Sequence, residues 1–202
     1  MQILNFITSN VYKVEWANEI AEKLGYSIRF EKHSYNFEEG RANNVEEVIK
    51  EKIKQGIKFI KHPFIVEDSG FFIDSLNGFP GTYVKFGLTT IGIKGIIKLM
   101  EKIDDEKRTY SINSSIGYGN PISKRIHTVV STSVGKLSKS YVSGNEHDWG
   151  EIMGIIIPNG YKTTITQFDD MEWLRYKQDI KNGDAFTVSL GKILKIINDE
   201  HA

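Results

Sequence analysis

The sequence predicts a mixed α/β fold: a twisted mixed β-sheet flanked by helices, with two lobes around a central cleft. In the first half of the 202-residue chain, short apolar runs alternate with segments whose apolar residues recur at a helical period. Between residues 109 and 137, the pattern changes to the alternation that is typical of a half-buried strand. Interleaved strands and helices followed by a hairpin favour a mixed sheet with helices packed on it.

A strand, a helix and a second strand are predicted at the start of the chain. The apolar run over residues 2–8 predicts the first strand. Gly25 lies where the helix should end, because glycine favours the C-terminal cap. Residues 27–33, in which Ile28 and Phe30 alternate with charged neighbours, predict the second strand. The buried face of the helix is predicted from residues spaced by three and four: Ala17, Ile20, Ala21 and Leu24.

A second helix and a third strand are predicted next. A polar loop over residues 36–44 precedes the helix, which we expect to cover residues 45–55 and to end at Gly56. Pro63 then introduces an apolar run over residues 64–66, which predicts the third strand.

The remaining elements are a long helix, a hairpin and two C-terminal helices. Apolar periodicity predicts a helix over residues 89–103 and helical segments over residues 171–176 and 184–198. The Asn-Pro pair at residues 120–121 predicts the turn of a hairpin over residues 109–137.

Length and composition fit one globular domain over residues 1–202, with the hairpin as a smaller lobe. Lys plus Arg and Asp plus Glu both number 26, which argues against general electrostatic attraction to nucleic acid or membranes. Any anion must therefore be bound by locally placed cations, which favours a small phosphorylated ligand. Cysteine, a signal-peptide pattern and an apolar stretch of about 20 residues are all absent from the sequence, so we expect a cytoplasmic protein.

The first candidate site lies where the first strand meets the first helix. Thr8 and Asn10 supply donors there, and Lys13 follows one turn later. The N-terminus of a helix also presents backbone N–H groups that bind phosphate, although the glycines of a Walker loop are missing here. The alternative is an ordinary helix cap with a surface lysine, and this segment by itself favours that alternative.

Two adjacent carboxylates, Glu67 and Asp68, follow the third strand and form the second candidate site. Ligands often bind at the carboxyl ends of strands in α/β proteins, and adjacent residues on a strand point to opposite faces. A carboxylate here could hold Mg²⁺ or accept a proton from an attacking water. The alternative is an exposed acidic turn. The tight loop at residues 78–81, followed by Lys85, weakens that alternative because such loops usually position something.

The third candidate is the acidic loop that contains Glu38 and Glu39, together with the basic helix after it. On a helical wheel, Lys52 falls within the apolar stripe of this helix, whereas Lys50 does not. Either Lys52 extends its amine past the apolar surface to water, or it reaches a buried anion such as a phosphate. The pattern supports both interpretations equally.

Taken together, these segments resemble the inosine triphosphate pyrophosphatase family, whose members hydrolyse deaminated purine nucleoside triphosphates. Residues 8–13 are similar to the family's opening Thr-Gly-Asn-x-x-Lys, with Ser9 in place of the glycine. Residues 67–70 resemble its acidic-acidic-Ser/Thr-Gly block, and residues 77–83 resemble its Gly-Gly-x-Pro-Gly-x-Tyr segment. Type, order and spacing agree best between residues 66 and 85.

The resemblance implies roles for individual residues. Asp68 would be the catalytic residue, and Glu67 and Asp68 would bind metal. The family's metal-binding glutamate precedes a glycine in a Glu-x-Gly loop. Glu38 has that spacing to the glycine, while Glu39 lies nearer the family's distance from Lys52. The family also has a lysine 16 residues before the second acidic residue, which favours Lys52 over Lys50. The implied substrate-binding residues are Thr8, Asn10, Lys13, Lys52, Ser69 and Lys85.

The resemblance weakens after about residue 90. The family has a Phe-Gly-Trp-Asp stretch before a Pro-x-Gly-Tyr segment, and here only residues 158–161 match the second of these. Trp149 could supply the ring that stacks on the base, in a shifted register. The family's base-contacting Ser-His-Arg corresponds to residues 185–191, which contain neither His nor Arg. The triphosphate half of the site therefore matches the family, whereas the base-recognition half does not.

The resemblance leads us to expect a hydrolase that converts a nucleoside triphosphate and water to a monophosphate and pyrophosphate, with Mg²⁺ as cofactor. The implied substrates are inosine, xanthosine or other modified purine nucleotides, which the enzyme would remove from the nucleotide pool. The alternatives are the same chemistry with an altered base preference, and a nucleotide-binding homologue without catalysis. The family is typically homodimeric, so we expect a homodimer that binds neither nucleic acid nor membrane.

Overall fold

The computed structural model describes residues 1–38, 42–143 and 150–201, and in these ranges the chain forms seven strands and six α-helices. None of the helices in the described ranges is long and apolar enough to cross a membrane. The strands are β1 (Gln2–Ile7), β2 (Ile28–His33), β3 (Phe64–Ile73), β4 (Pro80–Gly81), β5 (Thr109–Asn120), β6 (Arg125–Leu137) and β7 (Ile156–Pro158). The helices are α1 (Val11–Lys23), α2 (Val45–Phe59), α3 (Val84–Thr90), α4 (Gly92–Leu99), α5 (Asp170–Gly183) and α6 (Ala185–His201).

The strands form one sheet with the order β2-β1-β3-β5-β6-β7, and β4 pairs with β3 outside this path. Strand β1 is parallel to both β2 and β3, whereas β4 and β7 run antiparallel to their partners. The predicted fold class, a mixed sheet with flanking helices, is therefore confirmed.

The chain divides into two compact units. Unit 1 comprises Met1–Ser69, Ser114–Ser131 and Gly183–Ala202, and unit 2 comprises Gly70–Asn113 and Thr132–Asn182. The predicted hairpin forms as β5 and β6, and both units contain part of it. The expectation of a single domain stays a prediction.

Unit 1 has an apolar cluster on each face of its parallel strands. Ile65 of β3 packs with residues of α1 and α6, whereas Phe64 and Val66 pack with residues of α2. Successive residues of a strand point to opposite faces. The next two residues, Glu67 and Asp68, are therefore directed to the α1/α6 face and to the α2 face respectively.

Helix α2 approaches the sheet closely because β5 has a glycine beneath it. A Cβ atom at Gly117 would lie 2.3 Å from Cδ1 of Ile53 and 2.4 Å from Cγ2 of Ile49. Both isoleucines are completely buried. Lys52 lies between them in the sequence of α2. The packing of this helix on β5 therefore also determines the position of the Lys52 backbone, from which its side chain extends.

Unit 2 has its own apolar cluster, and a buried arginine lies beside it. The Arg108 guanidinium donates to the carbonyls of Met100 at 2.6 Å, Ser138 at 2.7 Å and Leu137 at 3.2 Å. Burial lowers the pKa of Arg108 below its ordinary value, an effect that the nearby charge of Asp105 opposes. Three carbonyl acceptors compensate the desolvation of this side chain and join the two chain segments around it.

Three predicted helix features are wrong. Helix α2 runs through Gly56 to Phe59, and Gly56 is a buried contact point rather than a stop: a Cβ atom there would lie 2.4 Å from the ring of Phe64. The helix predicted over residues 89–103 is two helices, separated where Gly92 adopts a φ of 63°. Leu24 was expected in the buried face of α1 but is the C-cap residue and is half exposed.

The third strand also extends beyond its predicted end. Strand β3 continues to Ile73, so Glu67 and Asp68 lie inside the strand rather than after it. The parallel pairing of β3 with β1 nevertheless ends at Val66. The two carboxylates therefore follow the parallel part of β3 directly, which is the position that their sequence context predicts.

Gly117→Ala should lower the free energy of unfolding by about 1–3 kcal/mol, because adding a methyl group to a filled core forces neighbours to move. Urea denaturation measures the change. Gly183→Ala is the matched control, since a Cβ atom there has no neighbour within 4 Å. The control should be unchanged or slightly more stable, and an equal loss in both variants would contradict the packing argument.

Candidate functional site

A cavity of about 450 Å³ lies in unit 1 at the carboxyl ends of three parallel strands. Strands β1 and β2 end at this edge, and the pairing of β3 with β1 ends there too. This edge of an open α/β sheet is where ligands usually bind. The lining consists of residues 7–10, Lys13, residues 34–37, Lys52, Val66 and Glu67.

The loop between β1 and α1 forms one wall of the cavity. The Asn10 side-chain oxygen caps α1 by accepting from the Tyr12 N–H at 3.0 Å, and the Thr8 hydroxyl oxygen accepts from the Asn10 N–H at 3.1 Å. These bonds use acceptor atoms, so the hydroxyl hydrogen of Thr8 and the amide hydrogens of Asn10 can still donate to an anion. The segment is therefore a helix cap, and it also has the donors of a phosphate site.

Two lysine–carboxylate ion pairs lie at the cavity, one on each face of β3. Lys13 of α1 pairs with Glu67 Oε2, and Lys52 of α2 lies 2.5 Å from Asp68 Oδ2. The Glu67 side chain is 2% exposed and the Asp68 side chain is 32% exposed. Glu67 lines the cavity directly, whereas Asp68 is connected to it through Lys52. The formal charges of these four side chains sum to zero.

Ser69 binds both carboxylates. Its backbone N–H donates to Asp68 Oδ1 at 2.8 Å, and its hydroxyl donates to Glu67 Oε1 at 2.5 Å. Ser114 of β5 donates a second hydroxyl to the same Glu67 oxygen at 3.2 Å. Each carboxylate thus has one oxygen held by Ser69 and the other opposite a lysine. A direct bond from Ser69 to substrate, implied by the resemblance, stays a prediction.

A third carboxylate, Asp184, lies close to Glu67 at the start of α6. Its Oδ1 atom accepts from the Thr187 N–H at 2.7 Å and so caps the helix. Burial raises the pKa of Asp184, the two hydrogen bonds with Thr187 oppose this, and the charge of Glu67 adds to the rise. Asp184 is a member of the site that was not predicted from the sequence.

Four other residues were predicted as members of the site: Lys85, Glu38, Glu39 and Trp149. Lys85 is exposed on α3 in unit 2. The Glu38 side chain is exposed, and its backbone is held by α2, because its N–H donates to Gln55 Oε1 and its carbonyl accepts from Gln55 Nε2, both at 2.9 Å. Glu39 and Trp149 lie outside the described residues. The roles of all four predicted residues stay predictions.

The donor chemistry of the site fits Mg²⁺. Glu67 and Asp68 offer carboxylate oxygens, the hard ligands that Mg²⁺ prefers. Over the described part of the chain, no group of three or more His, Cys, Asp or Glu side chains could hold a metal ion. Mg²⁺ needs no such cage, since it is commonly bound by one or two carboxylates together with water and substrate phosphates.

Besides Asp184, four residues of the site were not predicted from the sequence. Tyr35 and Phe37 line the cavity with ring centroids 4.8 Å apart, and the signal that could have identified them is two aromatic residues in a polar loop. Ser114 and Gln55 have no such signal, because an isolated serine in a strand and a glutamine in a helix are ordinary residues there.

The first two residues of α6, which begin the segment that the resemblance matches to the family's Ser-His-Arg, are apolar and buried. Ala185 is 2% exposed and Phe186 is 7% exposed. The Phe186 ring packs against Trp16 of α1 with centroids 5.4 Å apart. The Ala185 and Phe186 side chains belong to the core of unit 1 and offer no hydrogen bond to a base.

Comparison with known proteins gives consistent matches. Residues 4–177 match the sequence model of the Ham1 family. The dITP/XTP pyrophosphatase of Thermococcus kodakarensis is 31% identical over 169 residues, which are 84% of this chain and 86% of that relative. The inosine triphosphate pyrophosphatase of Schizosaccharomyces pombe is 28% identical over 172 residues, which are 85% of this chain and 86% of that relative.

Some alignments are shorter. The dITP/XTP pyrophosphatases of Hyperthermus butylicus and Pyrococcus horikoshii are 34% and 42% identical over 106 and 118 residues. These alignments cover 52% and 56% of this chain, and only 55% and 59% of the relatives' own length. The chain thus spans little more than half the length of these two relatives.

Solved structures share the fold. A HAM1 protein from Coxiella burnetii superposes with a TM-score of 0.76 at 18% identity, covering 98% of this chain and 100% of that chain. A nucleoside-triphosphatase, or dITP/XTP pyrophosphatase, from Mycobacterium abscessus superposes with a TM-score of 0.70 at 20% identity, covering 89% and 94%.

Asp184→Asn should stabilise the protein at neutral pH. A carboxyl whose pKa is raised on folding binds its proton more tightly in the folded state. The wild type therefore loses stability as the pH rises from the ordinary pKa of 3.8 through the raised one. The amide oxygen of Asn can still accept from the Thr187 N–H, so the variant should keep the cap without this loss. Urea denaturation should give equal stability below pH 3.8 and a gain at neutral pH. A gain in stability that does not change with pH would contradict the raised pKa of Asp184 as its cause.

Proposed function

This chain belongs to the Ham1 family, and on that basis we propose that it is a nucleoside triphosphate pyrophosphohydrolase, which releases a nucleoside monophosphate and pyrophosphate. The observation that carries the proposal is the pair of lysines set against two adjacent carboxylates at the carboxyl edge of the parallel strands. The printed names of the relatives, dITP/XTP pyrophosphatase and inosine triphosphate pyrophosphatase, support the same reaction class.

The phosphate chain would be bound by Lys13, Lys52 and the N-terminus of α1. Both lysines line the cavity, as do Thr8 and Asn10 with their donor hydrogens. Displacement at phosphorus by water needs little covalent help from a protein, so most of the catalysis would be positioning and charge neutralisation. Lys85 would add a further cation, as the resemblance implies.

Glu67 and Asp68 would hold Mg²⁺, together with Glu38 or Glu39 from the acidic loop. When bound, Mg²⁺ would neutralise phosphate charge and polarise the bond that breaks. The hydroxyls of Ser69 and Ser114 and the backbone N–H of Ser69 would keep the two carboxylates in position for this.

Asp68 would act as the general base. Its carboxylate takes a proton from the water whose oxygen attacks the α-phosphorus, and the bond from that phosphorus to the bridging oxygen breaks as pyrophosphate leaves. Asp68 suits this role better than Glu67 because its side chain is 32% exposed, against 2% for Glu67. The Ser69 N–H fixes the orientation of the Asp68 carboxylate.

The substrates would be inosine, xanthosine or other modified purine nucleotides, as the names of the relatives support. The buried Ala185 and Phe186 favour a second candidate, the same reaction with an altered base preference. A site that lacks polar partners for a base edge loses the discrimination that such hydrogen bonds provide.

We also propose that the protein works in the cytoplasm as a homodimer. The absence of cysteine from the sequence fits a reducing compartment. The dimer is an expectation from the family resemblance, and light scattering after size exclusion tests it. A monomer at micromolar concentration would overturn it.

The function is tested by steady-state kinetics with inosine, xanthosine, guanosine and adenosine triphosphates, with Mg²⁺ present. Each reaction should release monophosphate and pyrophosphate, with inosine or xanthosine triphosphate preferred. A preference for guanosine or adenosine triphosphate would favour the second candidate. Release of inorganic phosphate, or binding of every triphosphate without turnover, would overturn the proposed reaction.

Asp68→Asn should reduce pyrophosphate release by about 10²–10⁴-fold, the usual contribution of a general base. Circular dichroism should show an unchanged fold, because the amide has the shape of the carboxyl. Asp199→Asn, which neutralises an exposed carboxylate on α6, is the control and should keep full activity. Near-wild-type turnover by Asp68→Asn would exclude Asp68 as the base.

A further inference from the structure

The two carboxylates of the site have the same pattern of partners. In each, one oxygen accepts from Ser69, and the other is paired with a lysine from a helix on that face of β3. Ser114 adds a second donor to the Glu67 oxygen that Ser69 already holds. Each carboxylate therefore has a fixed oxygen, bonded to strand residues, and an exchangeable oxygen, bonded to the end of a flexible lysine.

The lysines are also the cations expected to bind the phosphates. Lys13 and Lys52 both line the cavity, and the Lys52 side chain is 16% exposed while that of Lys13 is 35% exposed. A lysine amine carries one positive charge, so it cannot fully compensate both a carboxylate and a phosphate in the cavity. Removing the amine from the carboxylate would leave an uncompensated, partly buried negative charge, which is strongly unfavourable.

We propose that Lys13 and Lys52 exchange partners when substrate binds: both amines leave the carboxylates for phosphate oxygens, and a divalent cation brought by the triphosphate compensates Glu67 and Asp68. The ligand that this site takes is then a preformed metal–triphosphate complex, and the protein without nucleotide has little affinity for the metal. This inference rests on the proposed function in taking a triphosphate as the ligand.

The serines make the exchange compatible with a fixed site. Ser69 and Ser114 bond only to the oxygens that the lysines do not use, so they hold the carboxylates in place before and after the lysines leave.

The test measures metal and nucleotide binding separately, without turnover. Mn²⁺ replaces Mg²⁺ so that electron paramagnetic resonance reports the free ion, and an α,β-methylene nucleoside triphosphate replaces the substrate. Wild type, Lys52→Met and Lys13→Met are compared, because Met keeps the apolar stem of Lys and removes the charge. Lys50→Met is the matched control, since Lys50 lies on the same helix and pairs with Glu46.

Removing either lysine should change the two affinities in opposite directions. Without nucleotide, Lys52→Met and Lys13→Met should bind Mn²⁺ about tenfold more tightly than wild type, a typical coupling between linked sites. With Mn²⁺ present, the same variants should bind the analogue about tenfold more weakly. Lys50→Met should match wild type in both measurements. Two variants on different helices keep the test valid if one of them does not fold.

Either of two results overturns the exchange: Mn²⁺ affinity without nucleotide that is unchanged or lower in both lysine variants, or affinity for the analogue with Mn²⁺ present that is unchanged or higher in both. Failure of the proposed function has a different signature, which is absence of pyrophosphate release by wild type. Opposite shifts of the Mn²⁺ and analogue affinities, in a protein that shows no turnover, would support the exchange. They would also indicate that the protein binds nucleotides without hydrolysing them. Turnover without the shifts would support the function and refute the exchange.

Discussion

Two adjacent carboxylates on one β-strand point to different faces of the sheet, and each is paired with a lysine from a helix on its own face. Glu67 and Asp68 point to opposite faces because they are neighbours in an extended chain. The Glu67 carboxylate is 2% exposed and needs a charge partner, which α1 supplies as Lys13. Asp68 is 32% exposed, and α2 places Lys52 beside it on the other face. The residue that follows, Ser69, donates to both carboxylates and so links the two faces.

The packing of the core delivers the two lysines. The cap at Asn10 starts α1 directly after β1 and leaves Lys13 in the first turn, beside the carboxyl edge of the sheet. Helix α2 reaches the other face because Gly117 leaves room for Ile49 and Ile53, which flank Lys52 along the helix. Gly56 then admits the ring of Phe64, the first residue of β3. Each of these contacts involves a glycine or a helix cap. Adding a Cβ atom to the glycine, or losing the capping hydrogen bond, would shift the helix that carries Lys13 or Lys52.

Local patterns predicted much of this arrangement from the sequence. The helical wheel distinguished Lys52 from Lys50, and strand alternation predicted the opposite directions of Glu67 and Asp68. The patterns failed where a distant contact decides. Gly56 is typical of a helix stop in the sequence, but the ring of Phe64 leaves no room for a Cβ atom there, so the glycine serves close packing within the helix. Ser114 lies 47 residues from Glu67, and Arg108 lies 30 residues from the Ser138 carbonyl that it binds, so no local spacing could indicate either bond.

A site whose charges cancel before substrate arrives also has a consequence for product release. In the proposed exchange, a bound metal–triphosphate complex would hold the lysines and carboxylates apart by its own charges. After cleavage, each fragment carries part of the phosphate charge and is held by fewer contacts than the intact chain was. The ion pairs of Lys13 with Glu67 and of Lys52 with Asp68 can then re-form, and their re-formation compensates the carboxylates as the cation departs. In this proposal, the two pairs would weaken metal binding to the empty site and also favour loss of the products, because the site without ligand needs no external ion to be neutral.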